Sequence, residues 1–144
     1  MSATFTLHYT YDELGSIIQQ YESLLKQKQI ITFTGGLGAG KTTFIRHLLT
    51  HWGVEEASIT SPTFTYVNVY TNKDGITFYH FDLYRIQTLQ EFTIAGFAEY
   101  LYAPSSVALI EWPEPIMPLI KSSFAHCTFA YGNEEDQRII TITT

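Results

Sequence analysis

The sequence predicts an α/β fold of the P-loop type: one domain spanning residues 1–144, with a mixed β-sheet flanked by helices. Three observations predict it. Gly35-Gly36-Leu37-Gly38-Ala39-Gly40-Lys41-Thr42 has the spacing Gly, four residues, Gly-Lys-Thr, with a β-rich run before it and an amphipathic helical pattern after it. Val107-Ala108-Leu109-Ile110-Glu111 is a short apolar run closed by an acid, the form of a buried parallel strand. The chain of 144 residues, 45% hydrophobic and 15% charged, suffices for one core and has the composition of a globular protein.

Composition narrows the function classes. The net charge is -6, and the eight Lys and Arg residues are scattered along the chain. Phosphate neutralisation needs clustered cations, so direct nucleic-acid binding is disfavoured. Cys127 is the one cysteine, which excludes an internal disulfide and a cysteine-rich metal site and suits a small buried hydrophobe. Residues 1–10 lack a basic segment followed by an apolar run, and no apolar stretch is long enough to cross a bilayer, so a cytoplasmic location is expected.

In chain order, residues 3–9 alternate with Phe5, Leu7 and Tyr9 on one side, which predicts a strand. Thr10 and Glu13 have capping-box spacing, and Leu14, Ile17, Ile18, Tyr21, Leu24 and Leu25 keep a helical period until the polar run at 26–29. Ile30–Thr34 is the strand leading into the P-loop. The following helix carries Phe44, Ile45, Leu48, Leu49 and Trp52 on one face and stops at Gly53.

An irregular loop, 54–63, ends in Ser61-Pro62-Thr63. Two β-rich runs, Phe64–Thr71 and Ile76–Tyr84, then flank Asn72-Lys73-Asp74-Gly75, a hairpin with Asp-Gly in its turn. That turn superficially resembles a guanine-reading Asn-Lys-x-Asp motif, but Gly75 stands at the second acidic position, so GTP specificity is discounted. Residues 88–102 read as a helix in two pieces about Gly96. After the strand ending at Glu111, prolines at 113, 115 and 118 interrupt the chain, and runs 124–131 and 138–143 form a second hairpin.

The P-loop implies bound nucleotide. Its glycines let backbone amides face a diphosphate, and the helix N-terminus adds to that anion site. Gly36, Leu37, Gly38, Ala39 and Gly40 supply the cradle, Lys41 supplies a charge for the outer phosphates, and Thr42 and Thr43 open the helix. The Thr42 hydroxyl can ligate Mg²⁺, which keeps several waters and needs few protein ligands. Glu111, at the end of its strand, is the expected Mg²⁺ partner, directly or through water.

Asp82 shares a strand face with Ile76, Phe78 and His80, which places it at the end of a half-buried face and within reach of the nucleotide. Thr63 is read either as a switch residue near the γ-phosphate or as a hydroxyl that bonds its own turn. Arg85 and Arg138 are each either neutralisers of phosphoryl charge or members of surface ion pairs. His47 and His51 share a helix face, but without the Glu of a His-Glu-x-x-His motif they do not argue for zinc. His80 is expected to be a packed residue beside Asp82.

Gly-Leu-Gly-Ala-Gly-Lys-Thr-Thr (36–43), Ser-Pro-Thr-Phe-Thr (61–65), His-Phe-Asp-Leu-Tyr-Arg (80–85), Gly-Phe-Ala-Glu-Tyr (96–100) and Leu-Ile-Glu-Trp-Pro-Glu (109–114) together resemble the TsaE (YjeE) family. The resemblance implies a small bacterial ATPase of low intrinsic turnover, needed for threonylcarbamoyladenosine in tRNA. It implies two partners, TsaD, which performs the transfer, and TsaB, which supports it, with tRNA engaged only indirectly. By motif, Lys41 would hold phosphates, Thr42 and Glu111 would hold Mg²⁺, and Asp82 would position or deprotonate the attacking water. Thr63 would belong to a switch-like segment, Arg138 would contact the nucleotide, and Trp112 matches a family tryptophan beside the metal acid. Gly36 departs from the family's usual Asp but keeps the backbone donor. His8–Tyr11 matches weakly, leaving its role beside adenine open.

Two other classes compete with this expectation. A small P-loop metabolite kinase usually closes an arginine-bearing lid, and the three arginines here are not clustered. A nucleotide-gated binding module would share the cradle but never turn over.

Overall fold

A computed structural model describes residues 2–121 and 123–144. Met1, where the segment read for a leader begins, lies outside them. The chain runs β1 (Thr4–Thr10), α1 (Leu14–Lys26), β2 (Ile30–Thr34), α2 (Lys41–His51), β3 (Val67–Thr71), β4 (Thr77–Asp82), α3 (Leu89–Ile94), β5 (Ser106–Glu111), β6 (Ala125–Tyr131) and β7 (Gln137–Thr143). Short 3-10 turns occupy Tyr11–Glu13, Glu56–Ser58, Phe97–Tyr100 and Glu114–Leu119.

The seven strands among the described residues form one mixed sheet in the order β1-β7-β6-β2-β5-β4-β3. β2 is parallel to both β5 and β6, and β4 is parallel to β5. The remaining pairs, β1 with β7, β6 with β7 and β3 with β4, are antiparallel. All six residues of β5 are buried, as a central parallel strand covered on both faces requires.

Alternation along the strands divides the core into two layers. Ile31, Phe33, Phe78, Leu109 and Cys127 face the side covered by α1 and α2, whereas Ile30, Phe81, Ala108 and Ile110 pack with Phe92, Leu101 and Ile116 on the other. Phe44, Ile45, Leu48 and Leu49 of α2 are fully buried, each worth about 1.5–3 kcal/mol of transfer free energy. That packing clamps α2 to the sheet and fixes its N-terminus, where the P-loop ends.

The elements follow the predicted order, with informative differences at their ends. Glu13 Oε1 accepts from the Thr10 amide and hydroxyl at 2.9 and 3.0 Å, but the first turn is 3-10 and α1 proper begins at Leu14. The strand expected from Phe64 starts at Val67 instead. Tyr66 has φ +65° and donates its amide to the Pro62 carbonyl at 2.8 Å, closing a turn that delays pairing with β4. The segment 88–102 is two pieces split at Gly96, φ +84°, of which the second is 3-10. Thr88 caps the first by accepting from the Glu91 amide at 3.1 Å.

Candidate functional site

The C-terminal ends of β2, β4 and β5 come together beside the N-terminus of α2. Register makes this specific: Asp82 pairs with Glu111 across β4 and β5, and Phe33 pairs with Glu111 across β2 and β5. A cleft of about 370 Å³ opens there, lined by Lys41, Thr42, Thr63, Asp82, Glu111 and Trp112 among others. Parallel sheets place ligand sites at this edge.

The P-loop connects β2 to α2 with little freedom at its two ends. A Cβ on Gly35, whose φ is +146°, would lie 2.6 Å from the Phe129 carbonyl oxygen on β6. Gly40 caps α2 at φ +108°, a left-handed conformation that L side chains rarely adopt. The Tyr131 hydroxyl donates to the Leu37 carbonyl and ties the loop's crest to β6. Gly36 is open, since a Cβ there would meet only Tyr131 at 3.9 Å, so the backbone there tolerates either Gly or a side chain.

Lys41 is 5% exposed and turned into the loop. Its Nζ donates to the Gly35 and Gly36 carbonyls at 2.6 and 3.0 Å and lies 4.3 Å from the Trp112 ring centroid. Burial holds its pKa below the ordinary lysine value, while Glu111, Asp82 and Glu114 act in the opposite sense. Trp112 reaches this position because its own φ is +57°, which redirects the chain immediately after β5. Its ring also contacts Tyr84 at 5.0 Å.

Glu111 is 2% exposed, and both carboxylate oxygens are engaged. Oε1 accepts from the Thr42 hydroxyl at 2.8 Å, and Oε2 lies 2.6 Å from His80 Nε2. Leaving a buried acceptor of this kind without donors would cost about 1–3 kcal/mol or more. His80, 1% exposed, packs as expected, but its bond to Glu111 was not foreseen. Strand alternation places Phe78, His80 and Asp82 on one face, yet only the β4–β5 register reveals that His80 reaches Glu111.

Asp82 stands at the cleft wall, its Oδ1 accepting from the Tyr84 amide at 3.0 Å. Burial raises its pKa above the ordinary aspartate value, with Glu111 adding to the rise; the Tyr84 bond, His80 and Lys41 oppose it. Thr63 also lines the cleft, and its hydroxyl shares a 2.8 Å hydrogen bond with that of Ser61. Arg85 lines the cleft too and stacks its guanidinium 4.8 Å from the Phe64 ring centroid; among the described residues it forms no ion pair.

A smaller cavity of about 130 Å³ lies on the other flank of the P-loop, between Tyr9, Tyr11, Leu14, Thr43 and Arg138. Burial pushes the Tyr9 hydroxyl pKa up to about 12. Arg138 donates to the carbonyls of Glu135 and Gln137 at 2.7 and 2.8 Å and approaches the Gly38 carbonyl at 3.4 Å. It lies 4.8 Å from the Tyr131 ring centroid, bracing the P-loop from this side. Leu37 projects outward and Ala39 is buried beneath the loop. His47 lies edge-on to Tyr11, and His51 sits 3.6 Å from Glu22, both away from the cleft.

The donor set suits a hard divalent cation. Thr42 hydroxyl and Glu111 carboxylate oxygen are already 2.8 Å apart, and among the described residues no group of three or more His, Cys, Asp and Glu is arranged to hold a metal by itself. Those two oxygens could hold Mg²⁺, which is commonly bound by one or two protein oxygens together with water and phosphate.

The family model described as threonylcarbamoyl adenosine biosynthesis protein TsaE matches residues 8–140. A tRNA threonylcarbamoyladenosine biosynthesis protein TsaE from Rickettsia felis is 36% identical over 133 residues, covering 92% of this chain and 75% of the relative. The TsaE proteins of Rickettsia bellii and Treponema pallidum are 31% and 36% identical, covering 96% and 78% of this chain and 93% and 82% of theirs. The crystal structure of YdiB from Bacillus subtilis superposes with a TM-score of 0.69 at 26% identity, over 100% of this chain and 87% of that one. With P-loop, cleft and paired acids inside the matched span, the chain belongs to the TsaE family of tRNA threonylcarbamoyladenosine biosynthesis.

Proposed function

We propose that the cleft binds ATP with Mg²⁺ and hydrolyses it slowly, in the cytoplasm, and that TsaB and TsaD raise the rate. The observation that carries the reading is the convergence of Lys41, the Thr42–Glu111 pair and Asp82 in one cleft at the end of the parallel strands. Amides of residues 36–43 receive the phosphates, and Lys41 exchanges its carbonyl partners for phosphate oxygens. Thr42 and Glu111 would hold the cation, which when bound would supply charge neutralisation for the phosphates. Asp82 orients a water and takes its proton as the water oxygen bonds to γ-phosphorus. The bond from γ-phosphorus to the bridging oxygen breaks, leaving ADP and phosphate.

The adenine side of the nucleotide is assigned to the smaller cavity, where Tyr9, Tyr11 and Leu14 offer an apolar wall and Arg138 a charge. Thr63 and Arg85 then flank the phosphate end. Leu37, Phe64, Tyr84 and Tyr131 are more than half exposed around the site, which supports coverage by partner proteins. The net charge of -6 supports leaving tRNA to those partners. No described helix is long and apolar enough to cross a membrane.

Steady-state ATP hydrolysis by the chain alone and with TsaB and TsaD tests the reading. A low rate alone and a higher one with both partners is expected. Identical rates would remove partner dependence, and absence of hydrolysis in every combination would leave only a nucleotide-gated module.

A further inference from the structure

His80 lies on β4 between Phe78 and Asp82 and is buried, on the strand face whose next inward neighbour, Phe78, belongs to the apolar core. Its Nδ1 is buried with no hydrogen-bond partner among the described residues. A residue present only to fill space would not carry that cost, because an apolar ring would fill the space without it. Among the described residues the ring bonds to Glu111 Oε2, at 2.6 Å. A carboxylate accepts, so Nε2 carries the proton and donates.

Glu111 is thereby held from two sides, by His80 at Oε2 and by Thr42 at Oε1. We propose that His80 is a positioning residue of the cation site. Its grip on Oε2 keeps that oxygen inside the protein and turns Oε1 toward Thr42 and the cleft. Among the described residues no other group bonds to the ring besides Glu111. The inference rests on the reading that Thr42 and Glu111 hold Mg²⁺, and extends it to the residue that aims the acid.

Affinity for a fluorescent ADP analogue, measured with Mg²⁺ and with EDTA, tests it in wild type, His80→Phe and His80→Gln. Phe keeps a buried ring without a donor, whereas the Gln amide places an N–H near the position of Nε2. We expect His80→Phe to lose about 10-fold or more of the Mg²⁺-dependent gain in affinity, with affinity in EDTA unchanged and the gain largely restored in His80→Gln. A folded His80→Phe with the wild-type gain overturns the inference alone. A wild type without any gain overturns the Mg²⁺ reading and this inference with it. Nitrogen NMR of the wild-type imidazole needs no variant to fold: an Nε2–H ring that responds to Mg²⁺ with ADP is expected, and an Nδ1–H ring or no response overturns the proposal.

Discussion

Lys41→Met separates nucleotide binding from fold stability. The substitution keeps an unbranched side chain while deleting the charge that lines the P-loop. Two effects on the free protein oppose each other. The Gly35 and Gly36 carbonyls lose donors at 2.6 and 3.0 Å, and an ammonium group that burial makes harder to keep charged disappears. Their difference should stay within about 1–2 kcal/mol, a modest change in Tm. Binding has no such offset. A charge-assisted hydrogen bond to phosphate contributes about 1.5–3 kcal/mol, and each 1.4 kcal/mol is tenfold, so ATP affinity should fall about 10- to 150-fold. Titration with a fluorescent ATP analogue alongside thermal melting reads both quantities. A folded variant with wild-type affinity would refute the role given to Lys41.

Other perturbations probe the acid, the loop and the core. Because burial raises the folded-state pKa of Asp82, its ionised form weighs against folding above that value, and the penalty fades as pH falls through it. Asp82→Asn, which keeps an oxygen for the Tyr84 amide, should therefore raise Tm at neutral pH, with a shrinking gain on acidification; a lowered Tm at neutral pH contradicts this. Wild-type turnover should fall on acidification at a pH above the ordinary aspartate value, which a pH–rate profile reads. Gly35→Ala sets a Cβ 2.6 Å from the Phe129 carbonyl oxygen at φ +146° and should cost about 2–4 kcal/mol in denaturant unfolding. Gly15→Ala, with nothing within 4 Å, should be neutral or stabilising by up to about 1 kcal/mol. Cys127 is fully buried on β6, and burial pushes its thiol far above the ordinary range, so a thiol reagent should label it only on unfolding; prompt labelling of native protein would contradict the packing.

Much of this architecture is legible in local pattern. Alternation and turn residues mark both hairpins, the run ending at Glu111 reads as the parallel strand it is, and the P-loop motif points to Lys41 and Thr42. What local pattern lacks is the identity of neighbours. The placement of β2 between β5 and β6 is a long-range pairing, and so is the register that sets Asp82 beside Glu111. Periodicity gives the face that His80 occupies, but not that its ring meets the acid thirty-one positions later. The Tyr131 tie to Leu37 and the Gly35 contact with Phe129 are equally non-local. At Tyr66 a local rule failed in the other direction: an aromatic residue with high strand propensity sits at φ +65°, because the Pro62 turn takes its amide.

On the proposed function, this cleft breaks the terminal phosphate bond of ATP and Asp82 is the group acting on water. Single-turnover phosphate release, with protein in excess over Mg²⁺-ATP and with TsaB and TsaD present, tests it most directly. Wild type should release phosphate, while Asp82→Ala should bind the nucleotide as tightly and release almost none. Equal release by Asp82→Ala, or no release by the wild type, would contradict the claim.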